Sequence, residues 1–322
     1  MEIIKITQPE EGKNYFGINW ALTTICNYSC SYCHPDLHNG KIKPPSLRHI
    51  LQFINTVFDY CKKREIKPYF EFGGGEVTYL AWFSTVLMEI HKRNGLVSII
   101  SNASSPLYWW RKNISMLHSV SLSFHCEQIK KQKHFIEVAK IISASASTRL
   151  QVNIMMLPDR FSECLMFAKQ LRGEVNCGIS LQPLYQGFGG GSISGRFKYT
   201  KRQESIMVNF SGNQTIKNIP EPRGFLDVVN SDNSHVRKTC FELLINQQTN
   251  FSGWHCHAGL ENIIVTFEGD IYRAWCMQDA LIGSLYDEKL KLPKEPTLCH
   301  TKICQCGPDI CSSKYRDAQH DT

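Results

Sequence analysis

Between residues 15 and 186, short apolar runs alternate with longer stretches in which apolar residues recur every three or four positions. That alternation marks consecutive strand–helix units. The first run, Phe16, Ile18, Trp20 and Leu22, has the two-residue period of a strand and leads straight into Cys26. A polar loop over 35–45 follows. Ser46 then stands where it can cap a helix that carries Leu47, Ile50, Leu51, Ile54, Val57, Phe58 and Cys61 on one face. Tyr69, Phe70 and Phe72 predict the next strand, which stops at Gly73-Gly74-Gly75-Glu76, and the helix after it runs to Gly95, a suitable C′ residue. Further strands are expected over 96–101, 120–125, 150–157 and 179–184, with helical periodicity over 135–142 and 161–171 between them. Six such units are too few to close an eight-stranded barrel, so the pattern predicts an α/β fold, a partial (β/α)6 barrel. Ligands then belong at the C-terminal ends of the strands.

Beyond the core the pattern changes. Residues 187–195 are rich in glycine and serine without the G-x-G-x-x-G spacing of a phosphate cradle, and read as a hinge or lid. Residues 200–238 show little periodicity and contain Pro220, Pro222 and Gly224, so they read as a linker. After Gly253 a hairpin is expected, with Ile263, Val265 and Phe267 alternating, a turn at Glu268-Gly269-Asp270, and then Ile271 and Tyr272. The organisation expected is a core over 1–190, a hinge and linker over 191–240, and a small cysteine-rich domain over 241–322.

The composition is globular, with 42% hydrophobic and 20% charged residues in 322. The net charge of +7 is a modest excess spread along the chain. Met1 to Lys13 contains no apolar signal-peptide core, and no stretch approaches the ~18 apolar residues of a membrane span, so a cytoplasmic protein with no membrane partner is expected. The 14 cysteines change the picture most. In a reducing compartment a surplus of thiols argues for metal or redox chemistry. Cys26, Cys30 and Cys33 lie together near the start; Cys256, Cys276, Cys299, Cys304, Cys306 and Cys311 gather near the end. Cys61, Cys126, Cys164, Cys177 and Cys240 are isolated and read as small apolar residues.

Cys26-x3-Cys30-x2-Cys33 places three thiolates in one loop directly after a strand. Structural zinc sites and ordinary iron–sulfur clusters take four protein ligands, so three leave one coordination position open to a reactant. The alternative is a zinc site completed by Cys61 or His34. The loop Cys26-Asn27-Tyr28-Ser29-Cys30-Ser31-Tyr32-Cys33 resembles the signature of the radical S-adenosylmethionine superfamily, with Tyr32 at its aromatic position. The resemblance implies a four-iron four-sulfur ([4Fe-4S]) cluster on the three cysteines whose unique iron is chelated by S-adenosylmethionine. It further implies reductive cleavage of that cosubstrate to a 5′-deoxyadenosyl radical, which abstracts a substrate hydrogen. Gly73, Gly74, Gly75 and Glu76 are similar to the family's glycine-glycine-glutamate motif, where backbone carbonyls and a carboxylate suit an ammonium group. Ser101, Asn102, Ser123 and Asn153 are polar residues in apolar strands; the family places ribose and carboxylate contacts at comparable strand ends, and a side chain facing solvent is the alternative.

Cys256-His257-Ala258-Gly259, the hairpin with Gly269, and Cys276 are similar to the start of the auxiliary-cluster domains called SPASM and twitch, with Cys299, Cys304 and Cys306 closing the site. The full SPASM pattern carries seven cysteines; here six stand in this region and the hairpin runs two residues longer after Gly269, which favours a twitch-like domain with one auxiliary iron–sulfur cluster. Cys311 is then left over. A structural zinc site drawing on His257 or His300 is the alternative. The resemblance implies an electron donor such as flavodoxin or ferredoxin. Substrate readings are a nucleic-acid base in DNA or RNA, already modified or not, a peptide, or a small alcohol. Lys62-Lys63-Arg64 and Lys130-Lys131-Gln132-Lys133 suit phosphate contacts or solvated helix faces, and about fourteen residues precede the first expected strand. A two-site zinc protein that binds nucleic acid is the non-enzymatic reading.

Overall fold

The computed structural model describes residues 2–128, 132–186, 195–210, 212 and 224–316. Its main elements are β1 (Ile3–Thr7), β2 (Tyr15–Thr23), α1 (Leu47–Lys62), β3 (Lys67–Gly74), α2 (Phe83–Lys92), β4 (Leu96–Ser101), α3 (Leu107–Asn113), β5 (Ser119–Phe124), α4 (Gln132–Ala144), β6 (Arg149–Met155), α5 (Phe161–Glu174) and β7 (Gly178–Gln182). From β2 to β7, strand and helix alternate and the strands lie in sequence order, β2-β3-β4-β5-β6-β7. The pairs β4/β5, β5/β6 and β6/β7 are parallel. This is the expected partial (β/α)6 arrangement, an α/β core.

Residue contacts divide the chain into two compact units, one of residues 21–44 and 71–219 and the other of 1–20, 45–70 and 220–322. Compactness thus groups residues differently from a division at 190 and 240. In the first unit, the two faces of the sheet differ sharply. Val120, Leu122, Phe124, Leu150, Val152, Ile154, Ile179 and Leu181 are buried. Phe124 stacks on Phe167 of α5 with ring centroids 3.6 Å apart and meets Phe135 of α4 edge-on at 5.4 Å. Each such side chain contributes roughly 1.5–3 kcal/mol by leaving water. On the alternate positions stand Ser119, Ser121, Ser123, Gln151, Asn153 and Ser180, all half-buried. A barrel interior is ordinarily filled with branched apolar side chains. Here it carries hydroxyls and amides cross-linked along the sheet: Asn153 Nδ2 donates to Ser121 Oγ at 2.9 Å and Gln151 Nε2 to Ser180 Oγ at 2.8 Å.

In the second unit, Ser46 caps α1 by accepting from His49 N, as expected, and the buried stripe is Ile50, Phe53, Ile54, Val57, Phe58 and Cys61. Cys61 is part of that buried stripe. The expected hairpin is present as Asn262–Val265 and Asp270–Tyr272, antiparallel, with Asn262–Val265 also pairing parallel to Gly17–Trp20 of β2. A separate six-stranded sheet runs, in order, His235–Thr239, Phe225–Asn230, β1, Lys314–Tyr315, His255–Cys256, Thr297–Leu298.

Two readings are corrected by these elements. The segment read as a linker holds a helix, Lys201–Asn209, fixed by a capping box between Thr200 and Gln203, and the antiparallel pair Phe225–Asn230/His235–Thr239. The helix buries only Met207, so no apolar period announced it. β1 was also not anticipated; it is short, polar on one face, and held by pairing with Phe225–Asn230. Of the glycine-rich hinge read over 187–195, residues 187–194 lie outside the described residues, as do Pro220 and Pro222. Among the described residues no helix is long and apolar enough to cross a membrane.

Candidate functional site

The three N-terminal cysteines follow β2 on a loop stitched to the ends of the neighbouring strands. Cys33 N bonds Cys30 O at 3.1 Å, closing the loop into a turn. After β5, Glu127 accepts from Ser31 N at 2.6 Å and Ser31 Oγ at 2.9 Å, and Gln128 Nε2 donates to Ser29 O at 3.1 Å. Asn102, at the end of β4, donates from Nδ2 to Asn27 Oδ1 at 2.9 Å and approaches Cys26 Sγ at 3.9 Å. Burial pushes all three thiols up, Cys30 to about 12 and Cys33 to about 11; the neighbouring sulfurs add to the effect at Cys30 and Cys33, and the Glu76 carboxylate at Cys26. Three thiols that resist ionising beside one another lose that resistance when a cation takes their protons' place. The donor set, three soft sulfurs on one loop, fits an iron–sulfur cluster with one iron left without a protein ligand.

The glycine element lies against this loop. Gly75 N donates to Thr23 O at 2.6 Å and Glu76 N to Ile25 O at 2.7 Å, so the backbone after β3 binds the backbone just before Cys26. A Cβ on Gly75 would stand 2.2 Å from Ile25 O, which only glycine avoids. Gly74 has φ +112°, again a glycine conformation, and its backbone is exposed. Glu76, read from sequence as a partner for an ammonium group, is fully enclosed. Its carboxylate accepts from Thr78 N (3.2 Å), Thr78 Oγ1 (2.6 Å), Ser101 Oγ (2.9 Å) and Asn102 N (2.7 Å). Burial raises its pKa against the pull of those donors. Glu76 and Ser101 therefore shape the site by orienting Asn102. The next residue, Ala103, sits at φ +62°, a left-handed position rare outside glycine and common where a site is held under strain.

Sequence reading missed His125. It stands just past β5, where its Nδ1 lies 2.5 Å from Tyr32 Oη and 3.3 Å from Cys30 Sγ. Its ring stacks on Tyr32 at 12° and meets Tyr28 edge-on. Burial lowers its pKa to about 4, so the imidazole is neutral, and its Nδ1 faces both the Tyr32 hydroxyl and the Cys30 sulfur. Tyr32 is 2% exposed and its ring is thereby committed to the loop's interior. The available signal was a histidine at a strand's C-terminal end. Ser123 and Asn153 lie one strand apart in register, both on the polar face; Asn153 is tied to Ser121.

The second cysteine group lies in the other unit. Cys256, Cys276, Cys299 and Cys304 line one open pocket, together with Asp309 and Lys314. Cys256 sits on the strand His255–Cys256, opposite Thr297; Cys299 N donates to Trp254 O at 2.7 Å and Cys304 N to Thr249 O at 2.9 Å. Burial raises the Cys256, Cys276 and Cys304 thiols. Cys306, expected among these ligands, lies elsewhere: it begins the short helix Gly307–Ile310, near Cys240 and Cys311. Cys240 is not an isolated apolar residue either, since its thiol bonds that of Cys311. Cys126 and Cys164 likewise meet, with sulfurs 3.2 Å apart. Among the described residues no group of three or more His, Cys, Asp or Glu side chains is drawn close enough to hold a single metal ion; the four cysteines on one pocket match an iron–sulfur cluster in donor type. His257, proposed as a nitrogen ligand, is instead 3.7 Å from Glu261.

No family model matches the chain, and no curated protein does. Solved structures do. The chain is similar to Streptococcus suis SuiB bound to precursor peptide SuiA, with 12% identity and a TM-score of 0.51 over 85% of this chain and 63% of that one. SuiB bound to S-adenosylmethionine matches at 10% identity and TM-score 0.50 over 84% and 63%. Native anSMEcpe with bound AdoMet matches at 15% identity and TM-score 0.49 over 85% and 78%. The chain thus spans under two thirds of SuiB. The likeness is one of fold.

Proposed function

We propose that this protein is a radical S-adenosylmethionine enzyme. The observation that carries the reading is the cysteine loop bonded at once to the glycine turn and to Asn102, with the exposed backbone of Gly74 offered to the cosubstrate's ammonium group. When bound, a [4Fe-4S] cluster supplies the electron that cleaves S-adenosylmethionine to methionine and a 5′-deoxyadenosyl radical. The chain's own residues bind and orient. Glu76 and Ser101 fix Asn102, Tyr32 and the neutral His125 wall the loop, and Ser123 and Asn153 offer hydrogen bonds to the ribose or to the substrate. Abstraction of a substrate hydrogen then begins a modification or rearrangement.

Cys256, Cys276, Cys299 and Cys304 hold, in this reading, one auxiliary cluster of the twitch kind, and an external flavodoxin or ferredoxin delivers electrons. The hydroxyl- and amide-lined face of β5 to β7 favours a polar substrate. A nucleic-acid base and a peptide both meet that demand, and SuiB, of like fold, is described with a precursor peptide. The competing non-enzymatic reading is a two-site zinc protein. Metal analysis after anaerobic preparation separates them: iron with acid-labile sulfide, and saturable binding of S-adenosylmethionine, support the enzyme. Zinc without sulfide contradicts it.

A further inference from the structure

Lys314 is 1% exposed, one of the largest fully buried side chains in the protein. Its ammonium donates to the carbonyls of Asp309 (2.5 Å), Ser312 (2.7 Å) and Ile310 (3.3 Å) and stands 4.9 Å from the Phe251 ring centroid. All of these acceptors are neutral. A buried charge held only by neutral dipoles is costly unless an opposite charge shares its surroundings. The surroundings are the four-cysteine cavity: Lys314 lines it and is the direct cross-strand partner of Cys256, an arrangement that puts the two side chains on one face of the sheet.

The cavity also contains the opposite charge. Asp309 is 4% exposed, lines the same space, and accepts from Trp275 N at 3.2 Å. The remaining cation on the lining, Arg273, is engaged with Asp279 at 3.3 Å and with the carbonyls of Ala258 and Glu295. Lys314 and Asp309 are thus the fully buried pair of charges beside the sulfurs.

We propose that Lys314 and Asp309 set the reduction potential of the cluster held by Cys256, Cys276, Cys299 and Cys304, Lys314 raising it and Asp309 lowering it; this rests on the auxiliary-cluster reading above. Four thiolates around an iron–sulfur core carry net negative charge, and reduction by one electron adds another. A fixed cation in low dielectric stabilises the reduced form and a fixed anion destabilises it. Neither residue is a ligand: both act through charge.

The test uses the full chain carrying Cys26→Ala, Cys30→Ala and Cys33→Ala, reconstituted anaerobically with iron and sulfide, so that the cluster observed is the auxiliary one. Its midpoint is read by dithionite titration followed by electron paramagnetic resonance. Lys314→Met, neutral and of similar length, is expected to shift the midpoint downward, and Asp309→Asn, which keeps the acceptor for Trp275, to shift it upward. If Lys314→Met fails to fold, the sign of the Asp309→Asn shift still decides. Unchanged midpoints, or shifts of the same sign in both variants, overturn the proposal while leaving the auxiliary cluster in place. A parent protein that takes up no iron overturns the auxiliary-cluster reading and the proposal with it.

Discussion

Replacing Gly75 by alanine puts the account of the cysteine loop under direct strain. The added Cβ would lie 2.2 Å from Ile25 O and 2.7 Å from Ile25 C, both backbone atoms that cannot rotate away. To reach an ordinary 3.4 Å contact, the backbones of Gly75 and Ile25 must part by about 1.2 Å. That movement stretches the bonds Gly75 N to Thr23 O and Glu76 N to Ile25 O, now 2.6 and 2.7 Å. Each is worth about 1 kcal/mol net, and overpacking adds about 1–3 kcal/mol. Cys26 is the next residue, so the displacement passes into the cluster site, where an error of about 1 Å costs on the order of 100-fold in rate. The assay is iron per chain, melting temperature and 5′-deoxyadenosine formation measured on one reconstituted sample. Gly73→Ala is the companion: its Cβ meets only Ile100 Cδ1 at 3.7 Å, so it should keep the melting temperature and iron content. A Gly75→Ala protein with wild-type iron and undiminished cleavage would refute the reasoning.

Other substitutions probe other parts. Gly74→Val, at φ +112°, should weaken S-adenosylmethionine affinity and also lower the melting temperature, because a branched residue is strained there whatever the ligand does; unchanged affinity returns the glycines to an ordinary turn. Phe124→Ala removes the ring stacked at 3.6 Å on Phe167 and should cost about 3–5 kcal/mol in a denaturant titration; a loss under about 1 kcal/mol would mean that the helix-facing side of the sheet is not the core. The Cys256→Ala, Cys276→Ala double variant should lose the iron of one cluster and product formation yet keep uncoupled 5′-deoxyadenosine release; full iron and full turnover would remove the auxiliary cluster from the account.

The core was legible because its two periods are clean. The alternation around Phe16 to Leu22, the stripe from Ile50 to Cys61 and the six-residue run of β4 are each dictated by burial on a known face. The cysteine loop and the glycine turn were legible because their chemistry is local in sequence. What stayed hidden depends on distant partners. β1 exists as a strand through pairing with Phe225–Asn230, more than two hundred residues away. His125 reads as the end of a strand until Tyr32 and Cys30 are brought to it. Spacing reveals the Glu76 carboxylate but not the four donors that enclose it. Cys306 looked like a partner of Cys304 because two residues of separation say nothing of which way each sulfur turns.

The most direct measurement of the central claim is anaerobic incubation of the reconstituted protein with dithionite and S-adenosylmethionine, with 5′-deoxyadenosine counted by mass spectrometry. The native chain should produce it, and the chain carrying Cys26→Ala, Cys30→Ala and Cys33→Ala should produce none while keeping its fold by circular dichroism. Equal product from both proteins, or none from a native chain that holds its full complement of iron and sulfide, would contradict the account.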